Sequence, residues 1–584
     1  MTDIILWNSL ASRRRSVSDC FKENGLSQIK TYLEINNYDV QLIDWAIPSF
    51  YNKLSPDFLT KINREIISYL FENMEKNNEN FKIKLIGIFN LFIQGILTYI
   101  QKKRMNYFLN ELAKKIAKEN ILAFGVKVWY GEAFYWANKL IEKINKLNPE
   151  IITIAGGYHP TIYEDDFLKY SKFDLAVVTQ GEYVLKKILD IIKTNKNKSK
   201  NKILIEISKK AEDGNLKNLI YRDNDLIKKT GKMLPNIKNN VIPDYRENDG
   251  KMNVHVMVES YGCDYGKCNF CVHPFIYPWY LVRPVSELVK EIKIMLKKGI
   301  GLFRFAGSDT PPQVGAIIAD AILKNKLKLE YSIGSRAIRN SKNSKVYKKL
   351  VFCYKKMINS GLKSVFIGGE TGNDLINEKI MNKGVNSEDI VYTVKAMREA
   401  EKLTGKKIDI ILALIYPVPL IKGVSLDDVR KDNIKLIKTT APNSVMITPP
   451  GPFKNTKWFF EKEKFGFKFG KNIIKNMMSY EYVLYKPPTL WPDLEFSLNN
   501  KKFIILLEEC NELRNQIKEI SVPTDVSDEH FLMLRAAGFL GEKGVKEFKK
   551  ESIKDIVSSN YGWTNKICEK VDKYSNKLAK SNKL

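Results

Sequence analysis

Three cysteines, Cys263, Cys268 and Cys271, fall within nine residues of a 584-residue chain that holds seven in all. Thiolates are soft ligands, suited to zinc and to iron–sulfur clusters. A structural zinc site wants a fourth ligand at matching spacing. His273 is present, but it follows Cys271 too closely to complete a two-pair pattern comfortably. Three thiolates on one loop would leave one iron of a four-iron–four-sulfur cluster without a protein ligand, and an open iron can bind a small molecule.

The stretch reads Tyr261-Gly-Cys-Asp-Tyr-Gly-Lys-Cys-Asn-Phe-Cys271, a C-x4-C-x2-C spacing with Phe270 before the last cysteine. It resembles the cluster loop of the radical S-adenosylmethionine (SAM) enzymes, whose commonest spacing is one residue shorter. Downstream, Gly368-Gly-Glu-Thr-Gly372 with Met381-Asn-Lys-Gly384 resembles the G-x-E-S-G … M-x-K-G element of that family. Thr448-Pro-Pro-Gly-Pro452 resembles its P-x-P-G-T element, whereas Tyr416-Pro-Val-Pro419 departs from the usual pattern. The resemblance implies a 4Fe-4S cluster on Cys263, Cys268 and Cys271, with SAM chelating the open iron. One electron, from a donor such as flavodoxin or ferredoxin, would then release a 5′-deoxyadenosyl radical. It further implies a SAM pocket of Phe270, Asp309, Arg336, Gly368, Gly369 and Glu370. Phe270 would pack by the adenine. A guanidinium fork matches a carboxylate, so Arg336 would take that of SAM, and Glu370 and Asp309 the amino group or ribose hydroxyls. Arg283 is a further candidate for SAM or substrate.

These residues need elements that place them together. Six apolar runs begin near Val254, Gly301, Leu329, Ser364, Ile408 and Ser444. Each ends in polar residues or glycines, as in parallel barrels whose chemistry sits at the carboxyl ends of the strands. A partial (β/α)6 barrel is expected over residues 250–455. Ahead of it, strand-like runs at 3–8, 38–44, 121–129, 151–155 and 174–178 alternate with helical spacing. An open parallel sheet follows, binding ligand at its carboxyl edge. The edge loops carry Trp129, Tyr130, Gly156, Gly157, His159, Thr179, Gly181 and Glu182. Gly156-Gly-Tyr-His-Pro-Thr161 and Asp174-Leu-Ala-Val-Val-Thr-Gln-Gly-Glu182 resemble the Rossmann-like cobalamin-binding domain that precedes the barrel in one radical SAM class. The resemblance implies that these loops hold cobalamin. The D-x-H-x-x-G motif that supplies a lower cobalt ligand is absent; His159 is the one histidine in this region, with a loop-capping or corrin-contacting role expected.

The fold class is therefore α/β. The expected parts are a cobalamin-binding domain (1–200) with a helical insertion at about 56–118, and a linker with a small hairpin (201–249). The barrel (250–455) and a mostly helical C-terminal domain (456–584), a possible substrate lid, complete the chain. Few and clustered cysteines exclude a disulfide scaffold and point to a reduced cytoplasm, and the oxygen-labile open cluster that the resemblance implies points to an anaerobic one. The apolar run 83–100 contains Lys84, Asn90, Gln94 and two glycines, so a buried or interfacial helix is expected rather than a transmembrane span. The net charge of +29 raises an anionic partner, but lysine is scattered and no nucleic-acid module is visible.

Taken with the resemblance, the expectation is a cobalamin-dependent C-methyltransferase acting on an unactivated carbon of a small molecule, lipid or peptide. The alternatives are cyclisation or rearrangement of a lipid, tetrapyrrole or peptide, RNA modification, and a corrinoid or iron–sulfur sensor.

Overall fold

The computed structural model describes residues 2–75, 80–224, 226–238, 240–245, 250–480 and 493–582. Its first sheet comprises β1 (Ile4–Asn8), β2 (Val40–Asp44), β3 (Ala123–Lys127), β4 (Ile152–Gly156), β5 (Leu175–Val177), β6 (Leu219–Asp223) and β7 (Leu226–Lys229). The order is β2-β1-β3-β4-β5-β6-β7. The first five strands are parallel, and β1 and the core of β3 are buried throughout because helices cover both faces.

Two expectations change here. The hairpin β6–β7 pairs antiparallel on β5 and so extends the sheet. The helix Lys200–Glu212 packs on the same core through Ile203, Ile207 and Ala211. Residues 200–229, expected largely as linker, thus belong to the first sheet: backbone groups along the open edge of β5 need partners, and the hairpin supplies them. The insertion is three helices, Pro48–Leu54, Asp57–Glu75 and Phe81–Lys118. The last is 38 residues long, with Met105, Leu109, Leu112 and Ile116 in the sheet core. By length and composition it is, among the described residues, the one helix apolar enough to cross a membrane.

The second sheet is β8 (Val254–Met257), β11 (Leu302–Phe305), β12 (Glu330–Arg336), β13 (Leu362–Glu370), β14 (Asp409–Ile415) and β15 (Ser444–Thr448), parallel and adjacent in that order. The short pair β9 (Ser260–Tyr261) and β10 (Leu281–Val282) stands at its mouth. The later helices between the strands start on side-chain caps, Asn343 and the capping boxes Asn386–Asp389 and Ser425–Asp428, which satisfy first-turn N–H groups that the helix leaves unpaired.

The C-terminal part divides in two, which revises the single lid expected for 456–584. Residues 453–480 lie at the carboxyl end of the barrel strands. The helix Asp528–Ala537 instead closes the opposite mouth. Its Phe531, Leu532, Met533 and Leu534 join Val254, Leu302, Phe366, Ile411 and Met446 from the barrel's inner face in one core. Polar groups of the strands seal the plug: Ser364 Oγ donates to the Asp528 carbonyl at 2.9 Å, Arg304 meets Glu529 at 2.7 Å, and Arg535 pairs with Asp409.

Candidate active site between the two sheets

The cysteine loop leaves β8 and β9 and is pinned from outside. Gly262 has φ +79°, and a Cβ there would sit 1.9 Å from the Trp279 carbonyl oxygen, so only glycine permits the approach. Beyond β13 the chain makes a single wide π turn, Ile376–Met381, of the kind that frees carbonyls for outside donors. The Asn269 N–H donates to the Met381 carbonyl at 2.9 Å, and its side-chain amide to the Ile380 carbonyl at 3.0 Å. Tyr265 Oη donates to the Asn382 carbonyl at 2.9 Å. From the C-terminal part, the Trp458 N–H donates to the Asn269 carbonyl, and its ring lies 5.7 Å from that of Phe270.

Tetrahedral zinc would hold its thiolates about 4 Å apart. Among the described residues, the ligand atoms that converge within 4.8 Å are those of Cys263, Asp264 and Asp309, not the three thiols. The three thiols therefore do not converge as a lone tetrahedral ion would require. Burial pushes all three thiols up, Cys271 to about 12, and Asp309 adds to the rise at Cys263. Ligation by a cationic cluster reverses that preference, because a coordinating thiol is deprotonated.

Around the loop stand the polar ends of the strands. Asp309 follows β11 and is 3% exposed; Arg336 ends β12; Glu370 ends β13 with φ +62°. Arg336 is held on every side. Its backbone N–H donates to Asp309 at 3.1 Å, Nη2 donates to the Lys383 carbonyl at 2.8 Å, and its guanidinium lies 4.1 Å over the Tyr265 ring. Its Nε is nonetheless buried without a partner, as is the hydroxyl of Tyr280. Unpaired buried donors are costly, so both are disposed to receive an acceptor. Burial and then the Asp264 carboxylate push Asp309 up to about 7. Glu370 is paired with the buried Lys383 ammonium at 2.6 Å, a partner that the sequence reading did not assign. Gly368 lies under this pair; a Cβ there would be 2.6 Å from Glu370 Oε1. Gly369 packs against Leu412.

Arg283 is placed elsewhere. It is 1% exposed, donates to the Val258 carbonyl at 2.9 Å and pairs with Glu291 at 2.7 Å. Glu291 also meets His255, which in turn meets Tyr245. Arg283 thus stands as a buried strut whose charge Glu291 offsets, with its Nε buried and without a partner.

The carboxyl edge of the first sheet faces this loop. Gly157, with φ +107°, lets the chain pass close to β3; a Cβ would lie 2.9 Å from the Val128 carbonyl. Trp129 and Tyr130 stand in edge contact and partly exposed, with the Lys127 ammonium 4.1 Å over the Trp129 ring. Thr179 has φ +57° and a buried hydroxyl without partner. Gly181 and Glu182 open the next helix, with burial pushing the Glu182 carboxyl up. His159 is buried, and its Nε2–H donates to the Met478 carbonyl at 2.7 Å, which ties the sheet to segment 453–480. Its neighbour Tyr158 reaches the cluster loop, where the Cys271 thiolate adds to burial in pushing the Tyr158 phenol up to about 12. Gln180 donates to Tyr261 Oη at 2.7 Å. Tyr158, Gln180, Asp264, Tyr265, Tyr280 and Lys383 were not singled out from sequence. All but Tyr280 stood inside quoted motifs without an assigned role; Tyr280 is signalled only by contacts between distant elements.

Residues 257–431 match the radical SAM superfamily, and residues 96–189 match the B12 binding domain. The chain thus carries a radical SAM domain preceded by a B12-binding domain. All three cysteines and Asp309, Arg336 and Glu370 lie in the first span, and Trp129 to Glu182 in the second. This enzyme is 24% identical over 230 residues to the anaerobic magnesium-protoporphyrin IX monomethyl ester cyclase of Rubrivivax gelatinosus, covering 37% of the chain and 40% of the relative. It is 21% identical over 452 residues to the 4′-phospho-dehydrooxetanocin synthase of Priestia megaterium, covering 70% and 57%. The chain thus spans about half the length of the curated relatives it matches. Among solved structures, it superposes on the radical SAM methyltransferase TsrM of Kitasatospora setae, with cobalamin and [4Fe-4S] cluster bound, at TM-score 0.57 and 12% identity, covering 96% and 100%. On the cobalamin-dependent radical enzyme OxsB with aqua-cobalamin and SAM, the values are 0.56 and 16%, covering 96% and 72%. The two domains imply a 4Fe-4S cluster, SAM and cobalamin. The residues present fit them: three cysteines on one loop, unpaired Arg336 and Tyr280 donors near it, and a glycine-lined edge with exposed aromatic rings.

Proposed function

We propose that this radical SAM enzyme is a cobalamin-dependent C-methyltransferase acting on an unactivated carbon. The observation that carries the reading is the hydrogen bond from Gln180, at the carboxyl edge of the B12-binding sheet, to Tyr261 Oη at 2.7 Å, two residues before Cys263, which sets the two carboxyl edges face to face. When bound, the cluster and SAM supply a radical that removes hydrogen from substrate, and cobalamin supplies the methyl group. The chain's own share is positional. Cys263, Cys268 and Cys271 would hold the cluster. Arg336, fixed by Asp309 and Tyr265, would take the SAM carboxylate, and the Glu370–Lys383 pair would orient its amino end. Trp129, Tyr130, Gly156, Gly157, Thr179, Gly181 and Glu182 would line the corrin, with His159 bracing the loop instead of ligating cobalt. A one-electron donor of the flavodoxin or ferredoxin kind would complete the system.

The test is anaerobic turnover with reductant and SAM, scored for S-adenosylhomocysteine and 5′-deoxyadenosine together, with Cys271→Ala as the dead control. Both products from wild type, and neither from the variant, are expected. Deoxyadenosine without S-adenosylhomocysteine would sink methylation and leave radical chemistry standing. The names of the two curated relatives, a cyclase and a synthase, favour ring formation or rearrangement as the second reading, which predicts a product with no added methylene.

A further inference from the structure

The helical hairpin Asp57–Glu75 and Phe81–Lys118 has an outer face that the active site does not use. Phe81, Leu85, Ile88, Phe92 and Tyr99 recur at intervals that place them on one stripe of the second helix. Phe58, Ile62 and Tyr69 do the same on the first. Their exposure is large, 77% at Phe81, 65% at Ile88, 64% at Phe92 and 67% at Phe58. Singly exposed apolar residues are ordinary; a continuous apolar stripe marks an interaction surface.

Charge on the second helix decides what covers it; the first helix exposes both signs, Asp57, Glu65 and Glu72 with Lys61. From Asn80 to Asn110 the chain has five basic side chains and no acidic one. Lys82 and Lys84 lie exposed at one end of the stripe, Lys102 and Lys103 at the other, about 27 Å apart along the helix. Lysines flanking an apolar face can bury their stems and keep their ammonium groups among anionic headgroups. A second copy of the chain on this face would set these cations against their equals. A full span is excluded by the inner face: Asn90 donates to Asn63 at 2.9 Å, and Gln101 to Ser55 and Ser559, all against the protein itself. We propose that this hairpin docks the protein onto an anionic lipid bilayer, lying in the headgroup region with its apolar stripe facing the acyl chains.

The inference does not depend on the reaction. The experiment is flotation of the full chain, purified anaerobically, with phosphatidylcholine vesicles with and without about a third phosphatidylglycerol. Wild type is expected to float with the anionic vesicles and to be released by salt. Ile88→Glu combined with Phe92→Glu should stay in solution with an unchanged circular dichroism spectrum, because both side chains are already outside the core. Lys82→Gln with Lys84→Gln should lower partitioning tenfold or more, at about fivefold per lysine near the surface. The idea is overturned if wild type stays in solution with anionic vesicles at low salt, or if the double glutamate variant floats equally. It is also overturned if sedimentation without lipid shows a dimer that only that variant dissolves. Iron content and SAM turnover of the same variants should match wild type, which separates this test from that of the reaction.

Discussion

Lys383 holds the most charge-sensitive position in the barrel mouth. Its ammonium is buried against Glu370 and also feels the Cys268 thiolate. Removing one member of a buried pair leaves the other charged and unsolvated, at a cost of about 3–5 kcal/mol. Lys383→Met is therefore expected to lower stability by that order and to weaken SAM binding, while Glu370→Gln in the same background recovers part of the stability. Urea unfolding with a SAM titration reads both; a single variant as stable as wild type would show that the pair does not hold the site. The sequence placed Glu370 in the right motif but missed its partner. Lys383 stood in the quoted Met381–Gly384 element, but its pairing with Glu370 appears only when the turn at Ile376–Met381 brings it back under β13.

The helix Asp528–Ala537 shows how an element can look like one thing and do another. Its apolar spacing predicts a helix, and the helix is there, but spacing cannot say which mouth of a barrel it closes. Leu532 is fully buried between strands. Leu532→Ala should cost about 2–5 kcal/mol through lost packing and a cavity, read as a fall in the urea midpoint. Substrate KM should be unchanged, since the helix is remote from the carboxyl ends. A changed KM with unchanged stability would restore the lid that the sequence suggested.

Across the whole molecule, His159 joins the first sheet to segment 453–480. Burial pushes its imidazole down to about 4, because protonation would add an N–H at Nδ1, which is buried without a partner. The unfolded chain takes up that proton near 6.5. Stability from this group is therefore complete above about 6.5 and falls as the pH drops towards 4, by up to about 3 kcal/mol. His159→Phe should flatten that slope in denaturation curves recorded from pH 7 to pH 4. An equal slope in wild type and variant would mean that other groups set the acid limit.

What the sequence determined by itself was local. Cysteine spacing, strand-ending glycines and apolar runs of strand length named the cluster loop, six barrel strands and the parallel core of the first sheet, because each is written in neighbouring residues. The tertiary structure decided what depends on distance along the chain. It made the 219–229 hairpin a sheet edge, turned Arg283 into a strut for Glu291, sent the helix Asp528–Ala537 to the far mouth of the barrel, and set Gln180 against Tyr261. Each of these is settled by burial and pairing between segments tens to hundreds of residues apart, and such pairing leaves no periodic trace in either segment alone.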